Sequence, residues 1–123
     1  MNKILYITFY TVGVYEKVFN QYLRPSLEKR KLPYYAFKKE NFKNWRKNTL
    51  WKASVMLEAL EKFKEDLVFI DADATIEKFP KLFYEIPSNC DLAIHYLDWF
   101  LHWRNEKGKS LRELLTGTMF IRN

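Results

Sequence analysis

Residues 67–75 read Leu-Val-Phe-Ile-Asp-Ala-Asp-Ala-Thr, four apolar residues running straight into two carboxylates. An uncharged run of this kind predicts a strand covered on both faces, as in a parallel sheet. Side chains two apart on a strand share a face, so Asp71 and Asp73 are expected together in the crevice beyond the strand's carboxyl end. Ligands of open α/β sheets bind in that crevice. Two like charges there repel and ask for a cation, and carboxylates completed by phosphate oxygens suit Mg²⁺ or Mn²⁺. The plainer reading of the same residues is two solvated acids in a strand-end turn.

The elements on either side fit a sheet of that type. Lys3 to Tyr10 (KILYITFY) is rich in Ile, Tyr, Phe and Thr and reads as a first buried strand, broken by Thr11-Val12-Gly13. From Val14, residues Tyr15, Val18, Phe19, Tyr22 and Leu23 recur at helical spacing. Pro25 has no N–H for the carbonyl of Gln21, so this helix is expected to kink or end there. Pro33 to Phe37 reads as a short strand and Lys38 to Lys47, without a clean period, as a connecting loop. Asn48 or Thr49 is then expected to cap a helix whose inner face is Ala53, Met56, Leu57, Leu60 and Phe63 or Lys64. Beyond residue 75 the pattern predicts a helical turn at Leu82 to Tyr84, a strand at Asp91 to His95, a polar loop at Asn105 to Ser110 and a last strand near Thr118 to Ile121. Alternating strands and helices predict an α/β fold, a mostly parallel sheet flanked by helices.

The chain has 123 residues, room for one domain. Its 48% hydrophobic and 18% aromatic content, with three Gly and four Pro, excludes disorder and low complexity. One cysteine, Cys90, excludes a disulfide framework and a paired-cysteine zinc site, and suits a reducing, cytoplasmic setting. No apolar run approaches the ~18–20 residues of a membrane span. Met1 to Tyr15 has no small-residue cleavage site and is better explained by the first strand. The formal charge of +6 lies in the first half, most densely at Lys38, Lys39, Lys43, Arg46, Lys47 and Lys52 against Glu40 alone. Such a cluster either attracts an anion, whether nucleic acid, acidic lipid or nucleotide phosphate, or is a solvated surface.

A set of short motifs in order, FYTVG at 9–13, NWRKNTLWK at 44–52, LEAL at 57–60, VFIDADA at 68–74, CDLAIHY at 90–96 and LLTGTMF at 114–120, resembles the nucleotide-diphospho-sugar transferases, glycosyltransferases of the GT-A type. The resemblance covers nearly the entire chain. It implies a GT-A, Rossmann-like sheet with a D-x-D motif, Mn²⁺ or Mg²⁺ as cofactor, a nucleotide-diphosphate sugar as donor and an acceptor that no residue identifies. It implies a metal role for Asp73 and a contact from Asp71 to metal, ribose or donor sugar. Thr11, Val12 and Lys52 are implied in nucleotide binding, and Gly117 and Thr118 in lining the donor and acceptor pocket. It assigns no catalytic base or nucleophile. Related enzymes continue past the point where this chain stops, into acceptor-binding elements and usually a further metal ligand, often a His. A C-terminally truncated transferase is therefore the expectation, with a partner chain or oligomer completing the site. Chemistry agrees with the donor class, because a departing nucleoside diphosphate gathers charge that a metal and nearby cations such as Lys52 neutralise.

Other residues invite weaker readings. Trp45 either stacks on a base or sugar or, preferably, anchors its loop to the core. Tyr96, Trp99, Phe100 and Trp103 fall on one helical face, more in keeping with core than with a sugar platform, and His95, Asp98 and His102 share a helical spacing that coincidence explains better than a metal clasp. Cys90 reads as a buried thiol, and Asp91 as a cap or a support for the site. DADAT also fits the first motif of haloacid dehalogenase-like phosphatases, where the first Asp is the nucleophile. Two strand-helix units precede it here, however, and no adjacent acidic pair follows. A basic module binding nucleic acid through residues 38–52 leaves the D-x-D unexplained, so nucleic acid is not expected as a partner. A domain that binds a nucleotide-sugar without turning it over is the third alternative.

Overall fold

A computed structural model describes residues 3–98 and 112–123. Its elements are β1 (Ile4–Thr11), α1 (Val14–Val18), a π-helical turn (Phe19–Leu23), α2 (Arg24–Lys29), β2 (Tyr34–Lys39), α3 (Trp45–Thr49), α4 (Trp51–Lys62), β3 (Asp66–Ile70), a 3₁₀ turn (Lys81–Glu85), β4 (Leu92–Asp98) and β5 (Arg112–Ile121). The strands form one sheet in the order β2-β1-β3-β5-β4. β1 runs parallel to β2 and β3, and β5 alone is reversed, pairing antiparallel with both β3 and β4. The expected α/β architecture flanked by helices is the one observed, but the sheet is mixed, with two parallel and two antiparallel pairings.

Period-two alternation divides the core between the two faces of the sheet. Ile4, Tyr6, Val68, Ile70 and Phe120 meet Phe19, Leu23 and Leu27 on one face. Ile7, Leu67, Phe69 and Met119 meet Val55 and Ala59 on the other. β3 is buried at all five positions, which is why its sequence runs apolar without alternation.

Four local expectations need correction. The helix does not stop at Pro25: α2 continues to Lys29 with Leu27 buried. The Arg24 N–H reaches back to the Phe19 carbonyl, and this wide turn just before Pro25 absorbs the bond that proline cannot make. The cap ahead of the second helical region is Asn44, whose side chain accepts from the Lys47 N–H at 3.1 Å and opens α3. Asn48 instead accepts from the Phe42 N–H at 2.9 Å and donates to Asn41, tying the 41–48 segment to itself. The segment 38–47 is accordingly the end of β2, a short connection and the start of α3 rather than one loop. Finally, the inner face of α4 is Val55 and Ala59, flanked by Met56, Leu60 and Phe63, while Ala53 and Leu57 face water. This rotation carries Lys52 onto the sheet-facing side, at i and i+3 with Val55.

β5 begins well before the expected Thr118. It pairs with β4 from Asp98↔Arg112 to His95↔Leu115, and again from Ile94↔Met119 onward. Thr116, Gly117 and Thr118 are bulged out between these two stretches, with Thr118 opposite Ile70 of β3. His95, Tyr96 and Asp98 all belong to strand β4, so the helical spacings proposed for them do not apply. Trp99, Phe100, His102, Trp103 and the loop 105–110 lie outside the described residues. At the amino end of β3, Arg122 pairs with Asp66 at 3.0 Å and donates to the carbonyls of Cys90 and Pro87, and its N–H binds the Asp91 carbonyl. Asp91 thus sits at the end of β3 remote from Asp71. Among the described residues no helix is long and apolar enough to cross a membrane.

Candidate functional site

The carboxyl ends of the parallel strands β1 and β3, the bulge of β5 and the α3–α4 junction enclose a cavity of about 480 Å³. β1 contributes Phe9, Tyr10 and the buried Thr11, and the segment after β3 contributes Asp71, Ala72 and Asp73. Trp45, Asn48, Thr49 and Lys52 close it from the helical side, and Tyr15 and Thr116 complete the wall. This is the crevice in which open α/β sheets bind ligands.

Asp71 and Asp73 both line the cavity, although not for the reason their spacing suggested. The strand ends at Ile70, and a turn closed by the Ala74 N–H on the Asp71 carbonyl at 3.0 Å follows. Ala72, buried in the core cluster, forms the cavity floor between its two acidic neighbours. Asp73 is exposed and has no hydrogen-bond or ion-pair partner among the described residues.

Asp71 is held from three directions. Its N–H donates to the Gly117 carbonyl at 2.9 Å, and its Oδ1 lies 3.0 Å from the Lys52 Nζ. A Cβ on Gly117 would stand 3.1 Å from Asp71 Oδ2, a tight contact, so the bulged strand and the carboxylate are close-packed here without a side chain at 117. Lys52 also donates to the carbonyl and hydroxyl oxygens of Thr116, at 3.2 and 3.3 Å, and its ammonium lies 5.1 Å from the Phe69 ring centroid. One cation therefore joins α4, the end of β3 and the bulge of β5.

Of the residues nominated from sequence, Thr11, Lys52, Asp71 and Asp73 are brought together, while Val12, Gly117 and Thr118 do not line the cavity. Val12 is half-exposed, with its N–H on the Lys39 carbonyl and its own carbonyl accepting from Asn41. Gly117 lies behind Asp71, and Thr118 takes its place in the ladder. Trp45 is 72% exposed at the rim, so it does not anchor the loop. Trp51 does: it stacks on Phe42 at 5.4 Å and donates to the Glu40 carbonyl. Thr116, Asn48, Thr49, Tyr10 and Tyr15 were not expected in the wall, and only the neighbouring Gly-Thr of TGT hinted at Thr116. Within the basic cluster, Lys38 and Lys39 pair with Glu16 and Glu58, while Lys43, Arg46 and Lys47 make no ion pair among the described residues. Outside the cavity, burial and then a hydrogen bond with Tyr84 push the Tyr6 phenol well up, and burial raises that of Tyr34.

Two carboxylates open to one cavity supply hard oxygen donors, the ligand type that Mn²⁺ and Mg²⁺ prefer. No group of three or more His, Cys, Asp or Glu side chains placed to hold a metal occurs among the described residues. Two carboxylates fit a divalent cation in donor type and leave most of its coordination sphere to other ligands.

No family model matches the chain, and no curated protein matches it in sequence. Among solved structures, a glycosyltransferase involved in the glycosylation of the major capsid of PBCV-1 is similar in fold, with a TM-score of 0.64 and 14% sequence identity. The likeness covers 98% of this chain and 60% of that one. The fold is thus glycosyltransferase-like, and the chain spans 60% of the length of the solved enzyme.

Proposed function

We propose that this chain is a GT-A type glycosyltransferase domain that binds a nucleotide-diphosphate sugar in the β1–β3 crevice and serves its transfer to an acceptor. The observation that carries this reading is the convergence of Asp71, Asp73, Lys52 and Thr11 on one cavity of a glycosyltransferase-like fold. Asp73 and Asp71 would hold Mn²⁺ or Mg²⁺ as the D-x-D pair. The ion supplies Lewis-acid stabilisation of the diphosphate as it leaves. Lys52 adds a positive charge in the same cavity, where a leaving diphosphate needs it. Thr11 offers a hydroxyl beside β1, and the exposed face of Trp45 offers a planar surface for a base or sugar ring. An acceptor-binding surface completed by further chain or by a partner subunit, and a cytoplasmic setting in keeping with the free Cys90, belong to the same proposal.

A nucleic-acid module would use Lys43, Arg46 and Lys47, the part of the basic cluster without an ion pair among the described residues, and leaves Asp71 and Asp73 without a role. The phosphatase alternative is disfavoured by β3 being the third strand of a sheet already begun by β1 and β2. The test is thermal unfolding with UDP- and GDP-sugars, with and without Mn²⁺. Ligand at ten times its Kd stabilises by about 1.4 kcal/mol, a Tm rise of roughly 4–8 °C for a domain this small. One donor should produce such a rise only with Mn²⁺, and Asp73→Asn should abolish it. A rise with oligonucleotides and no metal would favour the basic module, and no response to any nucleotide would sink donor binding.

A further inference from the structure

Lys52 is unusual among the cations around the cavity because its donors are committed. Its ammonium reaches Asp71 Oδ1, the Thr116 carbonyl and the Thr116 hydroxyl, all within 3.3 Å. The side chain is 23% exposed and that of Asp71 39%, so the pair is half-screened at the cavity wall rather than free on the surface. Asp71 Oδ2 lies toward Gly117, where an added Cβ would stand 3.1 Å away. A divalent cation approaching Asp71 therefore meets a carboxylate that Lys52 already engages through Oδ1. A lysine three-quarters covered at this point is costly unless its charge is answered, and here it is answered by the acid that the metal would use.

We propose that Lys52 is an exchangeable counter-ion of Asp71, tethered by Thr116, and that a divalent cation binding Asp71 competes with it for the carboxylate. Displaced, the ammonium stays in the cavity and becomes available to a phosphate oxygen. Metal and diphosphate then favour one another through Lys52 as well as through direct coordination, and Thr116 is a positioning residue that sets how tightly the exchange is held. The inference rests on the metal role proposed above for Asp71.

The measurement is Mn²⁺ binding without nucleotide, followed by the loss of the free-ion electron paramagnetic resonance signal, for the wild type and for Lys52→Met, Thr116→Val and Asp71→Asn. Met is close to Lys in volume and keeps the contact with Phe69, and Val is isosteric with Thr, so each variant can report if the other folds poorly. Breaking a half-exposed ion pair should tighten Mn²⁺ binding by about three- to fivefold in Lys52→Met. Thr116→Val keeps the lysine charge but loosens its tether, and should tighten binding by about twofold. That second change separates exchange from simple repulsion between like charges. Binding unchanged or weakened in Lys52→Met overturns the proposal, as does tightening in Lys52→Met with none in Thr116→Val. Neither result touches the donor-binding reading. Wild-type affinity in Asp71→Asn would remove Asp71 as a ligand and overturn both the exchange and the metal role of Asp71 on which it rests, and no Mn²⁺ bound by either wild type or Lys52→Met would overturn the exchange.

Discussion

At Gly117 an added methyl group would press on the carboxylate of Asp71. An added Cβ would lie 3.1 Å from Asp71 Oδ2, so either the carboxylate turns away or the bulge of β5 retreats. Gly117→Ala should therefore remain folded at a cost of about 1–2 kcal/mol in urea unfolding, within the usual range for overpacking. The same change should cut the Mn²⁺-dependent thermal response to a nucleotide-sugar to a fraction of its wild-type size. A wild-type response in the alanine variant would show that Asp71 does not need its present orientation. Gly117 was nominated from the sequence as a pocket-lining residue, and what it supplies is room behind one. Thr116 could not be recognised in the same way, because a threonine in a strand is ordinary and its role comes from a bulge that no local pattern announces. Asp71 and Asp73 were legible as a pair, but through strand alternation that ends one residue too early; the turn that follows brings both to the cavity, with the buried Ala72 between them.

Among the elements, α4 shows how an apolar count can point to the wrong face. Ala53, Val55, Met56, Leu57, Ala59 and Leu60 surround most of the helix, so spacing alone admits two faces about one residue apart. Packing against Ile7, Leu67 and Phe69 selects the one through Val55 and Ala59. Val55→Ala should cost about 2 kcal/mol, since a fully buried side chain loses two methyls' worth of contact. Leu57→Ala removes more carbon from a residue that is 58% exposed and should cost under about 0.5 kcal/mol. Chemical denaturation of the two variants compares them directly, and equal or reversed losses would mean that the helix sits the other way. The choice of face has a functional side, because it brings Lys52 to Asp71. The turn before Pro25 was equally invisible in the sequence. Proline announces a missing bond, but whether the helix ends or widens depends on whether Leu27 finds a core to enter.

For the whole molecule, the alternation of strands and helices and the buried character of β3 made the layered architecture readable, since each follows from local period and composition. The order of strands did not, because pairing joins segments far apart in sequence. Stability at high pH is a property of this packed whole. Tyr6 is buried with its hydroxyl 3.3 Å from that of Tyr84, and burial first, then that hydrogen bond, holds its phenol well above the ordinary value. A group whose pKa is raised by folding stabilises fully below its unfolded pKa and loses that contribution as pH rises beyond it. The Tm should therefore be flat from neutrality to about pH 9.5 and fall above about pH 10. In Tyr6→Phe the fall should be shallower, at a cost of about 1 kcal/mol at neutral pH for the Tyr84 hydroxyl left without its partner. An alkaline limb of wild-type steepness in that variant would place the sensitivity elsewhere. The position of β5 carries a different consequence, for the time course of folding. It lies between β3 and β4, both of which precede it in the chain, so β4 has no neighbour in the sheet until residues 112–121 are in place. Closing the sheet waits on a non-local pairing, which slows folding. Until then the edge of β3 that β5 covers stands unpaired, and an unpaired strand edge is a template for self-association.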